Sequence, residues 1–337
     1  MFSSNLFRRY CSFGKRSGVW LACVLALGVT CGRAQAADAL LGPVAAKTIP
    51  MADAHFHVMT WMDIRELAGY MDRNGVRWAG GVAVGSGQGA PGARQSKLAE
   101  TVTVLGSLYI RATGMALWIS LYSTLGATAL EKLDTPEVYE RLSPIEEDLR
   151  RGARVIGEIH VNALSSTKDP AAQIKTKADS PIVKALFALA GKYKRLLNIH
   201  AQWDSDTVQE VERLAESNRN ARLVIAHAGS FAIPAQIHAV FQRQTNVSCD
   251  LSVRSIPPLQ DRHLIHTAFD DRTIRENWKK LIEAYPDRFV VGVDNVYSWE
   301  EYEKVIRAIR FGLLANLSPA TAEKVAYRNA QAWFGLE

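Results

Sequence analysis

The sequence predicts an α/β fold, a closed (β/α)8 barrel of the TIM type, and three observations lead there. Short apolar runs recur along the chain with amphipathic stretches between them, the pattern of parallel strands joined by helical crossovers. Eight such runs can be counted, near residues 50, 80, 114, 156, 198, 225, 249 and 291. Five of them lead straight into histidine, glutamate or aspartate, and in a barrel of this kind the C-terminal strand ends share one mouth. An open doubly wound sheet is the alternative, and it brings fewer of these ends together.

The first 36 residues read as a leader outside the fold. Arg8, Arg9, Lys15 and Arg16 form a basic stretch, and Val19 to Val29 is an apolar core too short to span a bilayer. Ala34-Gln35-Ala36 has the small residues of a cleavage site, so the mature chain is expected to start at Ala37. The Arg8-Arg9 pair admits the twin-arginine route beside the ordinary secretory one. The expected location is periplasmic or secreted, with no stable membrane anchor. Taking the leader's five basic residues from the chain's 40 leaves 35 against 34 acidic residues, a net charge of +1. The basic balance thus belongs to the leader, and no nucleic-acid-binding surface is expected. Three of the four cysteines leave with it, so Cys249 has no internal disulfide partner and reads as a small core residue. The remaining residues, about 300, suit one barrel domain over 37–337.

The elements follow in order. Ile49-Pro50-Met51-Ala52 is the first strand, and it enters Asp53-Ala54-His55-Phe56-His57. Thr60 can cap a helix whose Ile64, Leu67 and Met71 share one face, and Asn74-Gly75 stops it. Trp78 to Val84 is the second strand, and the third falls somewhere between Ile110 and Ile119. A helix from Pro136 to Arg151 precedes the strand Arg154-Val155-Ile156-Gly157, which ends in Glu158 and His160. Ser180-Pro181 opens the next helix, and Leu196-Leu197-Asn198-Ile199 leads to His200. Asp204 or Ser205 starts the helix of Val208, Val211 and Leu214, and Leu223-Val224-Ile225-Ala226 leads to His227. Val247-Ser248-Cys249 is the seventh strand, and Phe289 to Val293 is the eighth, leading to Asp294. Ser298-Trp299-Glu300-Glu301 reads as a capping box, and Ser318-Pro319 opens the last helix. Two connections exceed what a minimal barrel needs. Gly85 to Gly92 is glycine-rich and suits a lid over the mouth or a plain linker, and Ser120 to Thr135 is the other.

Five of the eight histidines, His55, His57, His160, His200 and His227, stand at strand ends. His238, His263 and His266 do not. Side chains two apart on a strand share a face, so His55 and His57 point together, as do Glu158 and His160. Imidazole and carboxylate groups converging on one mouth are the donors a zinc ion takes, and a catalytic zinc keeps one position open for water.

The ordered set His-x-His, Glu, His, His, Asp resembles the amidohydrolase superfamily of metal-dependent barrel hydrolases. It looks closest to the amidohydrolase-related branch, which includes aminocarboxymuconate-semialdehyde decarboxylase. The likeness runs from Ile49 to the C-terminus, and Arg328-Asn329-Ala330-Gln331-Ala332-Trp333-Phe334-Gly335-Leu336 resembles the branch's closing helix. The resemblance implies one or two divalent cations, zinc first, with manganese, iron and cobalt fitting nearly as well. His55, His57, His200 and Asp294 would hold one. Asp294 would also take the proton of the attacking water. His227 would polarise the substrate or bind a second ion. Glu158 would bridge two ions or hold a ligand imidazole from behind. Asp53 would orient one of the histidine pair. His160 and Arg254 are the candidates for substrate contact, and Asp204 and Asp250 are expected near the mouth. Trp61, Trp203, Tyr297 and Trp299 are candidates for an aromatic wall.

The function expected is an exported metal-dependent hydrolase of a small ester, lactone, amide or phosphoester. A decarboxylase on the same scaffold is the alternative, and Arg254 binding a carboxylate would favour it. A periplasmic metal- or ligand-binding protein without turnover is a third. Against it, binding alone needs neither Asp294 nor His227 opposite an open position. The partner expected is a small-molecule substrate, met by a monomer or a homo-oligomer.

Overall fold

A computed structural model describes residues 39–85, 92–166, 170–255 and 267–337. Strand β1 (Met51–Phe56) is buried at every position and pairs in parallel with β2 (Val76–Gly81). The third barrel position is broken at Arg111. Its first piece, β3 (Tyr109–Ile110), pairs with β2, and its second, β4 (Ala112–Gly114), pairs with β5 (Val155–Asn162). Strands β6 (Leu196–Ala201), β7 (Arg222–Ile225), β8 (Val247–Asp250) and β9 (Phe289–Val290) follow, each parallel to the one before. The ring closes where the chain beyond β9 meets β1. The Ala54 amide donates to the Val291 carbonyl (3.0 Å), the Asp294 amide donates to the His55 carbonyl (2.6 Å), and Phe56 bridges to Asp294. The closed barrel is therefore present, with its third strand reduced to two short pieces. Strands β5 and β6 are buried throughout, as unalternating runs should be when both sheet faces are covered.

The helices are α1 (Gly42–Thr48), α2 (Ile64–Arg73), α3 (Ala93–Leu105), α4 (Met115–Leu130), α5 (Thr135–Arg150) and α6 (Pro181–Lys192). They continue with α7 (Ser205–Ser217), α8 (Pro234–Arg243), α9 (Glu276–Ala284), α10 (Trp299–Arg307), α11 (Pro319–Glu323) and α12 (Asn329–Phe334). Ile64, Leu67 and Met71 form the buried face of α2, but its cap is Asp63 rather than Thr60. The Asp63 carboxylate accepts the Arg65 and Glu66 amides at 2.8 and 3.1 Å. Asp204 caps α7 through the Thr207 amide (2.8 Å). Ser298 caps α10, while Glu301 reaches the Tyr297 amide (2.7 Å) instead of closing a box on Ser298. The segment expected as a long connection after the third strand is mostly α4. Its Trp118 is buried and donates its indole N–H to the His160 carbonyl at 2.8 Å, so tertiary packing holds an otherwise weakly patterned helix in place.

Opposite the mouth, buried Arg310 donates to the carbonyls of Ala46, Ile49 and Asn74, tying α1 and the α2–β2 turn to the barrel. Among the described residues no helix is long and apolar enough to cross a membrane. The expected leader, most of the expected lid (residues 86–91), His263 and His266 lie outside the described residues.

Candidate metal centre

Glu158, midway along β5, stands at the middle of His55, His57, His160, His200 and His227. Its Oε2 lies 3.7, 3.5 and 3.5 Å from Nε2 of His55, His57 and His160. Its Oε1 lies 2.7 Å from His200 Nδ1 and 3.2 Å from His227 Nε2. Asp294 places Oδ1 at 3.6 Å from Nε2 of both His55 and His57. All five histidines and Glu158 are buried, and only the Asp294 side chain keeps 16% of its surface open. The register supports this convergence, because His160 and His200 are direct partners across β5 and β6.

Most of these rings are fixed from behind. His55 Nδ1 meets Asp250 Oδ2 at 2.9 Å, His57 Nδ1 meets the Ala83 carbonyl at 2.7 Å, and His227 Nδ1 meets Ser252 Oγ at 2.7 Å. A carboxylate or carbonyl can only accept, so His55 and His57 carry a proton on Nδ1 and turn Nε2 to the centre. Asp250 is the anchor of this arrangement. Its Oδ2 also accepts Asn198 Nδ2 (3.2 Å), and its Oδ1 accepts the amides of His227 (3.0 Å) and Ser252 (3.2 Å) and the Ser252 hydroxyl. Asp53, expected behind the histidine pair, instead accepts the Val293 amide (2.8 Å) and ties β1 to the closing strand.

His227, Ala228 and Asp294 all have left-handed backbone, with φ of 55°, 51° and 76°. Such conformations cost free energy in residues with a Cβ and persist where the surroundings impose them. At His227 the surroundings include Arg254. Its Nε donates to the His227 carbonyl (2.6 Å), and Nη2 donates to those of Ala228 (3.3 Å) and Gly229. These donors are thus committed to the main chain that presents His227. Gly229 follows, with φ of 76°, and a Cβ there would lie 2.5 Å from the Trp203 ring. Trp203 is therefore wall packing rather than exposed aromatic surface. Gly292 permits a similar approach, since a Cβ there would lie 2.5 Å from His55 Cβ. Trp299 stacks on Tyr70 (4.5 Å) and meets the edge of Trp61 (5.1 Å), while Trp61 and Tyr297 are exposed.

The electrostatics favour positive charge at the centre. Burial pushes the Glu158 carboxyl up, but His200 and His55 outweigh it and hold the group well below the usual range. Asp294 is likewise held low, burial being outweighed by His55, His227 and His57. Asp250 is held low against burial, chiefly by His55. Burial depresses His200 to about 4, against the pull of Glu158. For His55, burial opposes charge, yet Asp250 and Glu158 raise its affinity for a proton well above normal. Burial lowers Arg254 to about 10, which leaves it charged near neutral pH.

The donor set fits a divalent cation. Among the described residues, His55 Nε2 is buried without a hydrogen-bond partner, and it faces two carboxylates. Among the described residues, three groups have ligand atoms within 4.8 Å of one another: His55 with His57 and Asp294, His55 with Glu158 and His227, and Glu158 with His160 and His200. All the expected ligands thus come together, with His200 grouped beside His160 rather than with the His55 pair. His160, expected to contact substrate, joins the cluster itself. Asp250 is the residue whose role sequence reasoning missed, although it ends a strand as the ligands do.

A family model described as amidohydrolase matches residues 145–336, more than half of the chain. No curated protein sequence matches. Among solved structures, an uncharacterized TIM-barrel protein from Bordetella bronchiseptica is similar at 13% identity and a TM-score of 0.52, over 81% of this chain and 83% of that one. L-Hydantoinase (dihydropyrimidinase) from Arthrobacter aurescens is similar at 11% identity and 0.52, over 85% and 71%. The phosphotriesterase homology protein from Escherichia coli, complexed with phosphate in its active site, is similar at 12% identity and 0.51, over 86% and 99%. At these identities the structural likenesses speak for the fold alone, and the family match carries the assignment. The chain belongs to the amidohydrolase family.

Proposed function

We propose that this protein is an exported, cation-dependent hydrolase of a small ester, lactone, amide or phosphoester. The observation that carries the proposal is the placement of a buried carboxylate, Glu158, with Oε2 toward His55, His57 and His160 and Oε1 toward His200 and His227. Two donor sets about one carboxylate suit two cations. His55, His57 and Asp294 would hold the first, His160, His200 and His227 the second, and Glu158 would face both. Imidazole and carboxylate donors favour zinc, with manganese, iron and cobalt close behind. Such ions, when bound, supply hydroxide near neutral pH and polarise a carbonyl or phosphoryl oxygen.

The chain's own residues do the rest. Asp294 is kept ionised and is the most open carboxylate of the cluster, so it takes the proton of the attacking water and returns it to the leaving group. Asp250 and the Ala83 carbonyl keep the His55 and His57 rings turned inward. Arg254 holds the turn that presents His227. The same commitment of Arg254 Nε and Nη2 to main-chain carbonyls supports the hydrolase over the decarboxylase.

The test is cation analysis of the purified mature protein with a panel of esters, lactones, amides and phosphoesters, carbon dioxide being followed in parallel. The expected result is bound divalent cation and chelator-sensitive hydrolysis of at least one class. Cation without turnover would indicate a binding protein, and carbon dioxide release a decarboxylase. Export rests on the leader, and N-terminal sequencing that begins at Ala37 would support it.

A further inference from the structure

We propose that Ser166, on the loop after β5, is a positioning residue that makes Nδ1 the cation-binding atom of His200. The proposal rests on the two-cation reading above. His55, His57 and His227 are held through Nδ1 and present Nε2 to Glu158. His200 is turned the other way. Its Nδ1 faces Glu158 Oε1 at 2.7 Å, and its Nε2 lies 2.6 Å from Ser166 Oγ and 3.3 Å from Ser230 Oγ.

A neutral imidazole has one N–H and one lone pair. With the proton on Nε2, His200 donates to Ser166 Oγ and aims a lone pair at the Glu158 carboxylate. Two lone pairs at 2.7 Å repel unless positive charge sits with them. With the proton on Nδ1, that hydrogen bond to Glu158 occupies both groups, and Ser166 must turn its own hydroxyl hydrogen to Nε2. A hydroxyl can give or take this bond, so Ser166 holds the ring with Nδ1 toward Glu158 in either tautomer, and it accepts from Nε2–H once a cation draws on the Nδ1 lone pair.

The placement of Ser166 is built into the fold. The Ser165 amide donates to Gln202 Oε1 (2.9 Å), and the Gln202 amide donates to the Asn162 carbonyl (2.7 Å). The loop carrying Ser166 is thereby tied to the chain two residues beyond His200.

The experiment compares the full mature chain with Ser166→Ala, Ser166→Thr, Ser230→Ala and, as a control, Ser165→Ala, whose backbone amide stays in place. Zinc is titrated into chelator-treated protein by calorimetry, and cobalt(II) absorption reports the ligand field. We expect Ser166→Ala to lose roughly 10–100-fold in affinity for one of two ions and to change the cobalt spectrum. Ser166→Thr, which keeps the hydroxyl, should restore both, Ser230→Ala should show a smaller loss, and Ser165→Ala none. Equal melting temperatures of the chelated variants would confirm that the fold is intact. Two ions bound by Ser166→Ala with wild-type affinity would overturn the role of Ser166 while leaving the two-cation reading standing. Fewer than two ions in the wild-type chain would remove that reading and the proposal with it.

Discussion

Replacing Asp250 by asparagine changes one atom in a fully buried anchor, and its consequences can be worked through bond by bond. The oxygen of the new amide can stay on the Oδ1 side, where it still accepts the His227 and Ser252 amides. Its NH2 group then replaces Oδ2 and meets two donors, His55 Nδ1–H and Asn198 Nδ2. The opposite amide orientation is worse, since it sets a donor against two backbone amides. His55 escapes the conflict by moving its proton to Nε2, which puts an N–H where the centre needs a lone pair. The charge-assisted bond lost is worth about 1.5–3 kcal/mol. Loss of an outer partner of a ligand histidine costs roughly 10–100-fold in metal affinity, or about 1.4–2.8 kcal/mol. Zinc titration of Asp250→Asn, with the melting curve of the chelated protein as a control of folding, is the assay. Wild-type affinity for every bound ion in Asp250→Asn would refute the argument that Asp250 sets the His55 tautomer.

Three further outcomes follow from the same geometry. Arg254→Met removes the donors to the His227, Ala228 and Gly229 carbonyls; each carbonyl left unsatisfied costs about 1–3 kcal/mol, so thermal unfolding should show a lowered melting temperature, and cation affinity at His227 should fall with it. Gly229→Ala sets a Cβ 2.5 Å from the Trp203 ring at a φ of 76°, so denaturant titration should show a loss of more than about 1 kcal/mol. Asp204 is depressed because the Thr207 amide and hydroxyl, with Lys175 and Asn162, outweigh burial. Its contribution to stability is therefore present above the unfolded value of about 3.9 and is lost as the pH falls through the lower folded value. Asp204→Asn should be less stable than wild type at neutral pH and should flatten the acid limb below about pH 4; an unchanged acid limb would count against the cap.

Much of the centre is legible in the sequence because strand geometry is simple. Parity alone puts His55 and His57 on one face, and apolar runs that end in His200, His227 and Asp294 locate the mouth. Asp53, which the resemblance sets behind the histidine pair, has a different partner. It shares the face of His55 and His57 but lies deeper along β1, where the Val293 amide of the closing strand meets it. The central position of Glu158 could not be read, because depth along the barrel axis depends on how each strand is staggered. Asp250 gave a usable signal, a carboxylate ending a strand, yet nothing local distinguishes a ligand from the group behind one. Arg254 reads in the sequence as a cation near the mouth, free to meet a substrate anion. Its burial comes from the left-handed turn at His227 and Ala228, whose carbonyls need a donor. The split third strand was blurred for a comparable reason, since β3 and β4 are too short to carry a pattern and α4 begins immediately after Gly114. Ser166, Ser230 and Ser252 are loop serines with no spacing that sets them apart.

The claim on which the account stands is that Glu158 is shared by two cation-binding sets. Counting divalent ions per chain, in the wild type and in Glu158→Gln after equal exposure to zinc, tests it most directly. The side chain keeps its size and loses its charge, so the account predicts two ions in the wild type and at most one in Glu158→Gln. Two ions in both proteins, or none in either, would contradict it.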